Sequence, residues 1–304
     1  MTRKLRIGTR DSQLAVWQAT HVQQLLEAKG IASELIYIKS EGDLNTTTPL
    51  YEMGVTGIFT KALDQALLGG QIDIAVHSMK DVPVVLAKGI RKAAVLERAS
   101  YKDILVYKHD TGFLTNESPA IIATSSIRRI AQWRHKFPNH ELVSLRGNVN
   151  TRLRKLDENN WNGAIFAAAG LERIGLRPAN SIDLDWMLPA PAQGAIMVVC
   201  RENDNTSFYN TSILDHKPTA ICTHVEREFL RTLEGGCSTP VSALAVIENG
   251  QLQFSGNIAS HNGANMLELH EQCAVDDHED LGHNAAMKIL VSNEPWVKQV
   301  LKKN

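Results

Sequence analysis

The chain has 304 residues, a formal net charge of −1 and 43% hydrophobic residues, which is enough for two or three domains with their own cores. A chain this close to neutral lacks the overall basic field that draws proteins to nucleic acid, and no apolar run is long enough to span a bilayer. The four cysteines lack C-x-x-C or zinc spacing, and no apolar signal region opens the chain. We therefore expect a cytoplasmic protein with no bound metal.

Short apolar runs alternate with helical patterns through the first hundred residues. Asp11 or Ser12 is placed to cap the first helix, and Gly30 to end it. The predicted strands are 5–9, 35–38 and 72–76, and the predicted helices are 13–29 and 59–68. This alternation is typical of a parallel, doubly wound sheet.

The same alternation restarts after a charged stretch at 97–103, which we take as the crossing into a second domain. Its predicted strands are 120–123, 141–145 and 163–168, each followed by a helix start. Residues 189–194 predict a stiff linker, and we expect 195–200 to return as a strand to the first sheet.

The last ninety residues have a different pattern, with a long helix, an Asn249-Gly250 hairpin signal and a final helix at 277–291. This pattern predicts a small α+β domain with an antiparallel sheet. We place the domain boundaries at 1–98 with 195–214, 99–194, and 215–304.

The long helix leads directly to Cys237. Its apolar face repeats every four residues, at Ile221, Val225, Phe229 and Leu233. Glycines 235–236 end the helix, so the thiol lies at the negative end of the helix dipole, which does not activate a thiolate. Two interpretations stay open: a covalent anchor that reacts once, or a small buried hydrophobe.

Cationic side chains collect where strands give way to helices. Five such turns are 9–12, 78–81, 124–126, 146–148 and 170–173. At or just after them lie Arg10, Lys80, Arg128, Arg129, Arg146, Arg152 and Arg173. Because these turns line the ligand-binding edge of a doubly wound sheet, the pattern indicates a ligand with several negative groups. Each arginine alone is also consistent with a solvated helix residue.

Asp81 is the acid that stands out, because it lies beside Lys80 in the turn after a buried strand. An acid among cations can stabilise a developing positive charge or carry a proton. A helix cap or an ion pair with Lys80 explains it equally well. We expect His77 to be a structural hydrogen-bonding residue.

Taken together, the motifs resemble those of the hydroxymethylbilane synthase family, also called the porphobilinogen deaminases. They are TRDS at 9–12, AVHSMKDVP at 75–83, TSSIRR at 124–129, LRGNV at 145–149, QGA at 193–195 and LEGGC at 233–237. The resemblance covers essentially the whole chain in the same order. It implies an α/β protein with two doubly wound domains like those of periplasmic binding proteins and a small α+β C-terminal domain.

The resemblance also implies an activity, that of a transferase (EC 2.5.1.61) in haem biosynthesis. Such enzymes join four porphobilinogen molecules head to tail, release ammonia each time and give the linear tetrapyrrole hydroxymethylbilane. They carry a dipyrromethane cofactor on a thioether to the cysteine matching Cys237. The acetate and propionate of each pyrrole would account for the collected arginines.

The family's functional residues map onto this sequence by motif. Asp81 matches the catalytic aspartate, which would stabilise the cation left when ammonia departs. The residues implied to bind the cofactor are Ser78, Lys80, Thr124, Ser126, Arg128 and Arg129. Those implied to bind substrate or the growing chain are Arg10, Ser12, Arg146, Arg152, Arg173 and Gln193. Thr56 stands where many members have lysine, so any role of its loop in gripping the chain is in doubt.

Two other functions are compatible with parts of the pattern. A non-enzymatic binding protein for a small polyanion would share the two-lobed fold. An enzyme with a cysteine nucleophile would need a histidine partner, and none lies near Cys237 in the sequence. We expect a monomer whose partner is the small molecule porphobilinogen, with neither nucleic acid nor membrane bound.

Overall fold

The computed structural model describes residues 3–39, 60–115, 118–234 and 239–301. It divides into two compact units, and the chain crosses between them after Ala99, after Gln193 and after Ala220. Predicted positions at Glu52, Thr56 and Cys237 lie outside the described residues. Within the described ranges, no helix combines the length and the apolar character needed to cross a bilayer.

The first unit is built on a five-stranded sheet. Its strands are β1 (Leu5–Thr9), β2 (Ser33–Tyr37), β3 (Ile74–Ser78), β4 (Ile90–Val95) and β10 (Ile196–Arg201), in the order β2-β1-β3-β10-β4. Its helices are α1 (Gln13–Glu27), α2 (Lys61–Leu68) and α6 (Asn205–Ser212). Strands β1, β2 and β3 are parallel, whereas β10 runs antiparallel to both β3 and β4. The predicted return of 195–200 to this sheet is therefore confirmed.

The second unit contains a sheet of the same design. Its strands are β5 (Asp103–Tyr107), β6 (Ile121–Ala123), β7 (Glu141–Val143), β8 (Gly163–Ala167) and β9 (Ser181–Asp183), in the order β7-β6-β8-β5-β9. Helices α3 (Ile127–Lys136), α4 (Val149–Glu158) and α5 (Ala168–Glu172) follow strands β6, β7 and β8. Here β5 is the reversed strand. The wholly parallel sheet that the alternation suggested is thus mixed in both units, with one reversed strand in each.

The second unit also holds a three-stranded antiparallel sheet, as the sequence predicted. Strands β11 (Val241–Glu248), β12 (Gln251–Ala259) and β13 (Met266–Ala274) pair in that order. Asn249 and Gly250 both have positive φ, as a tight hairpin turn requires. The helices of this region are α7 (Lys217–Thr232), α8 (Leu281–Leu290) and α9 (Pro295–Leu301).

The apolar face predicted for the long helix packs on this sheet. Val225, Phe229 and Leu233 are fully buried in one core with Phe254 of β12 and Ile289 of α8. Helix α7 ends at Thr232, and Glu234 two residues later has a left-handed φ of 51°. The end of α7, from which the chain leads to Cys237, is thus held by core packing.

Candidate active site

The first unit has a polar pocket at the edge where β1 and β3 end. It encloses about 270 Å³ and is lined by Arg10, Ala15, Gln18, Thr60, Val76, His77, Ser78 and Asp81. Parallel strands place their carboxyl ends at one edge, so residues that follow β1 and β3 meet here. The structure thus brings together three of the predicted site residues, Arg10, Ser78 and Asp81.

A short 3-10 turn presents Asp81. The turn spans Met79–Asp81 and directly continues β3. Met79 is 2% exposed, and its backbone N–H donates to the carbonyl of Ala195 at 3.0 Å. This buried residue anchors the turn. Asp81 is exposed at the end of the turn and lines the pocket, whereas Lys80 is partly buried and is not among the residues that line it.

Two neutral side chains complete the wall of this pocket. Gln18 of α1 donates from Nε2 to the Ser78 hydroxyl at 2.9 Å, which orients that hydroxyl. His77 is 7% exposed, and its Nε2 has no hydrogen-bond partner within the described part of the chain. Burial, together with the charge of Arg10, lowers the pKa of His77 to about 4. The imidazole is therefore neutral at neutral pH, and Arg10 and Asp81 supply the charges of the pocket wall.

The second unit has a larger pocket at the corresponding edge of its own sheet. It encloses about 430 Å³ and is lined by Thr124, Ser125, Ser126, Leu145, Ile165 and three arginines, Arg129, Arg146 and Arg152. Among the residues that the structure describes, no acidic side chain lines this pocket. Burial lowers the pKa of Arg146, yet all three guanidinium groups stay charged. Hydroxyl and guanidinium donors around one cavity are the donor set that binds carboxylates.

The turn that leads into α4 holds one of these arginines, Arg152, in place. Gly147 has a φ of +114°, and a Cβ there would lie 2.6 Å from the Thr151 side chain, so this turn requires glycine. Asn148 caps the helix by accepting from the Thr151 N–H at 2.9 Å. Arg152 donates from Nε to the Gly147 carbonyl at 2.8 Å. The LRGNV motif thus fixes both the turn and the base of one guanidinium.

The other arginine pair has a partner that the sequence patterns did not reveal. Arg129 donates to Asp103 Oδ1 from Nη2 at 2.7 Å and from Nε at 3.2 Å. Arg128 Nη2 lies 2.7 Å from Asp103 Oδ2, an ion pair without hydrogen-bond geometry. Burial alone would raise the pKa of Asp103, but the two guanidinium groups hold it well below its usual range. Asp103 is fully buried and ionised.

Among the described residues, the buried Nε of Arg128 has no hydrogen-bond partner. Its Nη1 donates to the Leu188 carbonyl at 2.6 Å. Gln193, predicted to bind substrate, is 1% exposed and donates from its side chain to Asp103 Oδ1 and to the Tyr101 carbonyl. The hydroxyl and guanidinium donors that line the pocket fit anionic groups such as the dipyrromethane carboxylates.

The remaining predicted residues lie close to these turns. Ser12 occupies the N-cap position of α1, but its side chain makes no capping hydrogen bond. Arg173 follows α5, and burial lowers its pKa to about 10, so it also stays charged. Sequence reasoning missed Gln18 and Asp103 as site residues. The only signal for Asp103 was an acid that opens an apolar run, DILVY at 103–107.

Comparison with known proteins agrees with this arrangement. Residues 5–208 match the family model of the porphobilinogen deaminase dipyrromethane cofactor binding domain, and residues 220–291 match that of the porphobilinogen deaminase C-terminal domain. Porphobilinogen deaminase of Syntrophomonas wolfei is 41% identical over 95% of this chain and 95% of its own. That of Moorella thermoacetica is 39% identical over 98% and 97%, and the chloroplastic enzyme of rice is 38% identical over 93% and 84%.

Solved structures add a distant likeness. An ancestral cationic amino acid solute-binding protein is 12% identical over 69% of this chain and 87% of its own, with a TM-score of 0.44. The two sheets give the chain an α/β fold, and the donors of the second pocket suit anionic small molecules. More particularly, the chain belongs to the porphobilinogen deaminase family. It is a transferase of tetrapyrrole biosynthesis, EC 2.5.1.61, with a dipyrromethane cofactor.

Proposed function

We propose that the two pockets divide the work of this hydroxymethylbilane synthase. The pocket of the second unit holds pyrrole carboxylates, and the pocket of the first unit carries out the bond-making chemistry on porphobilinogen. Four porphobilinogen molecules are joined head to tail, with one ammonia released for each. The observation that supports this division is the composition of the two pockets. Among their described lining residues, one has three arginines and no acid, and the other has a single exposed acid, Asp81.

The cofactor is held by a thioether and by carboxylate contacts. Cys237 is the proposed attachment site, and when bound the dipyrromethane supplies the pyrrole carbon to which the first substrate is joined. The residues proposed to bind it are Ser78, Lys80, Thr124, Ser126, Arg128 and Arg129. The presence of Thr124, Ser126 and Arg129 in the wall of the second pocket supports this assignment.

Substrate and growing chain are bound by a second set of side chains. They are Arg10, Ser12, Arg146, Arg152, Arg173 and Gln193. The buried Gln193 acts through its hydrogen bonds to Asp103 and to the Tyr101 carbonyl. Arg146 and Arg152 line the second pocket, and Arg10 lines the first. Guanidinium groups bind carboxylates in two-pronged fashion, so these residues orient each acetate and propionate.

Asp81 stabilises the reacting pyrrole. When ammonia leaves porphobilinogen, positive charge spreads over the ring and its N–H. An ionised carboxylate aimed at that N–H lowers the barrier, because the attraction grows as the charge develops. The same carboxylate can accept the ring proton and return it as the new carbon–carbon bond forms. The hydrogen on the pyrrole carbon to which the substrate is joined then leaves as a proton. The neutral His77 beside it adds no competing positive charge.

We further propose a cytoplasmic monomer of three domains that binds neither nucleic acid nor membrane. The described cysteines Cys200, Cys222 and Cys273 are all free thiols, which suits a reducing compartment. The near-zero net charge suits a small-molecule ligand that is bound by local rather than overall charge.

Intact mass of the purified protein tests the function most directly. We expect the wild-type chain to carry the added mass of two linked pyrrole units and to release ammonia from porphobilinogen. Cys237→Ser should lose both the adduct and the activity. A wild-type chain that binds porphobilinogen with no adduct and no turnover would indicate the non-enzymatic binding protein, and an unmodified but active chain would remove the anchor assignment.

A further inference from the structure

We infer that Asp103 is a positioning residue for the cofactor, because it orients the two guanidinium groups proposed to grip the cofactor carboxylates. This inference rests on the proposed cofactor site and adds a residue to it. Asp103 does not line the pocket; it acts through Arg129, which does, and through Arg128 beside it.

The geometry leaves each guanidinium little freedom. Arg129 is fastened on two sides, by Nε and Nη2 to Asp103 Oδ1 and by Nη1 to the Ile165 carbonyl at 2.9 Å. Arg128 is fastened by Nη2 to Asp103 Oδ2 and by Nη1 to Leu188. Both arginines are 6% exposed, so water cannot substitute for the carboxylate that holds them.

The charge count of this cluster also matches one ligand carboxylate. Two buried guanidinium groups and one buried carboxylate leave a single net positive charge. Without Asp103, two like charges would lie side by side in a site shielded from water, and they would repel each other. With Asp103 present, the two guanidinium groups stay together and the cluster keeps a single net positive charge for an incoming anion.

Asp103 is also linked, through residues 192–193, to helix α7, which leads to Cys237. Gln193 donates to Asp103 Oδ1 at 2.9 Å. The neighbouring backbone N–H of Ala192 donates to Glu226 of α7 at 2.6 Å, and the other oxygen of Glu226 accepts from Ala245 at 2.7 Å. Glu226 is fully buried. One buried polar network therefore fixes α7 and the arginine pair in a common frame.

The test is the loading of apo-protein, made in cells that cannot supply porphobilinogen, when porphobilinogen is added. Intact mass followed over time gives the rate at which the two-pyrrole adduct appears. We expect Asp103→Asn, which keeps the shape but loses the charge, to load at least tenfold more slowly, with an unchanged adduct mass. Loading is compared at a temperature well below the melting point of each variant.

The matched control is Asp73→Asn in the first unit. Asp73 is also a buried acid, 6% exposed, and it pairs with Arg6 at 2.8 Å and with Arg3 at 3.1 Å. We expect Asp73→Asn to lower the melting temperature yet load as fast as the wild type. Wild-type loading by Asp103→Asn, or equal slowing in both variants, would overturn the positioning role.

A second variant decides the matter if Asp103→Asn does not fold. Gln193→Met removes one donor from Asp103 and leaves both ion pairs, so we expect loading about threefold slower with the adduct unchanged. Loading at the wild-type rate would overturn the inference. A wild-type chain that never acquires an adduct would instead refute the proposed function itself.

Discussion

At the scale of single residues, Asp81 is the side chain whose charge the proposed chemistry needs. Asp81→Asn keeps the size of the side chain and removes the charge that opposes the developing cation. We expect turnover to fall by about 10²-fold or more, the usual effect of losing one electrostatic group from an active site. The measurement is the rate of ammonia release, together with intact mass to show that the cofactor adduct is retained.

Glu27→Gln is the control for this variant, because Glu27 is an exposed acid at the end of α1 in the same unit. Its turnover should match the wild type. Turnover by Asp81→Asn within twofold of the wild type would exclude the assigned role of Asp81.

What the sequence could and could not predict is clearest at the arginine pair. A strand, a polar turn and a helix start are local signals, so the collection of cations at 128–129 could be read directly. Their carboxylate partner lies 26 residues earlier than Arg129, on β5. Which acid pairs with which arginine depends on the order of strands in the sheet, and local sequence patterns do not predict this order.

At the scale of elements, the cap of α4 links stability to substrate binding. Asn148→Ala removes the side-chain oxygen that accepts from Thr151 N–H, which we expect to cost about 1 kcal/mol in the free energy of unfolding. The first turn of α4 also carries Arg152, so a frayed turn should raise the KM for porphobilinogen more than it lowers kcat. Urea unfolding and steady-state kinetics measure the two effects.

Asn148→Ser is the matched variant, because serine also caps helices well. It should recover most of the lost stability and of the KM. An Asn148→Ala protein with wild-type stability would mean that the cap contributes nothing measurable to this helix.

Elements with strong periodicity were predicted within a few residues, and weaker ones were missed. The hairpin at Asn249 and the buried face of α7 follow directly from residue types and spacing. Strands β4, β5 and β9 and helices α6 and α9 were not recognised. The antiparallel orientation of β5 and β10 could not be predicted. An apolar run has the same pattern in either direction, and only the pairing with neighbouring strands determines the orientation.

At the scale of the whole molecule, charge is distributed unevenly, although the net charge is close to zero. The chain carries 32 lysines and arginines against 33 acids, so its overall field is close to zero. The described lining of the second unit's pocket nevertheless contains three arginines and no acid. An anionic substrate is therefore attracted only at short range, by the pocket itself.

This distribution predicts how activity responds to salt. At 0.1 M salt the screening length is about 10 Å, and higher salt weakens attraction between partly exposed charges. We expect kcat/KM to fall several-fold as salt rises from low to high concentration, mainly through KM.

In Arg146→Gln the decline of kcat/KM with salt should be shallower, because one charge of the pocket is already gone. The control Lys29→Gln, at an exposed site after α1, should keep the wild-type slope. Equal slopes for the two variants would show that the salt response arises elsewhere than in the pocket, and then the arginines of the second unit would not be what attracts the substrate.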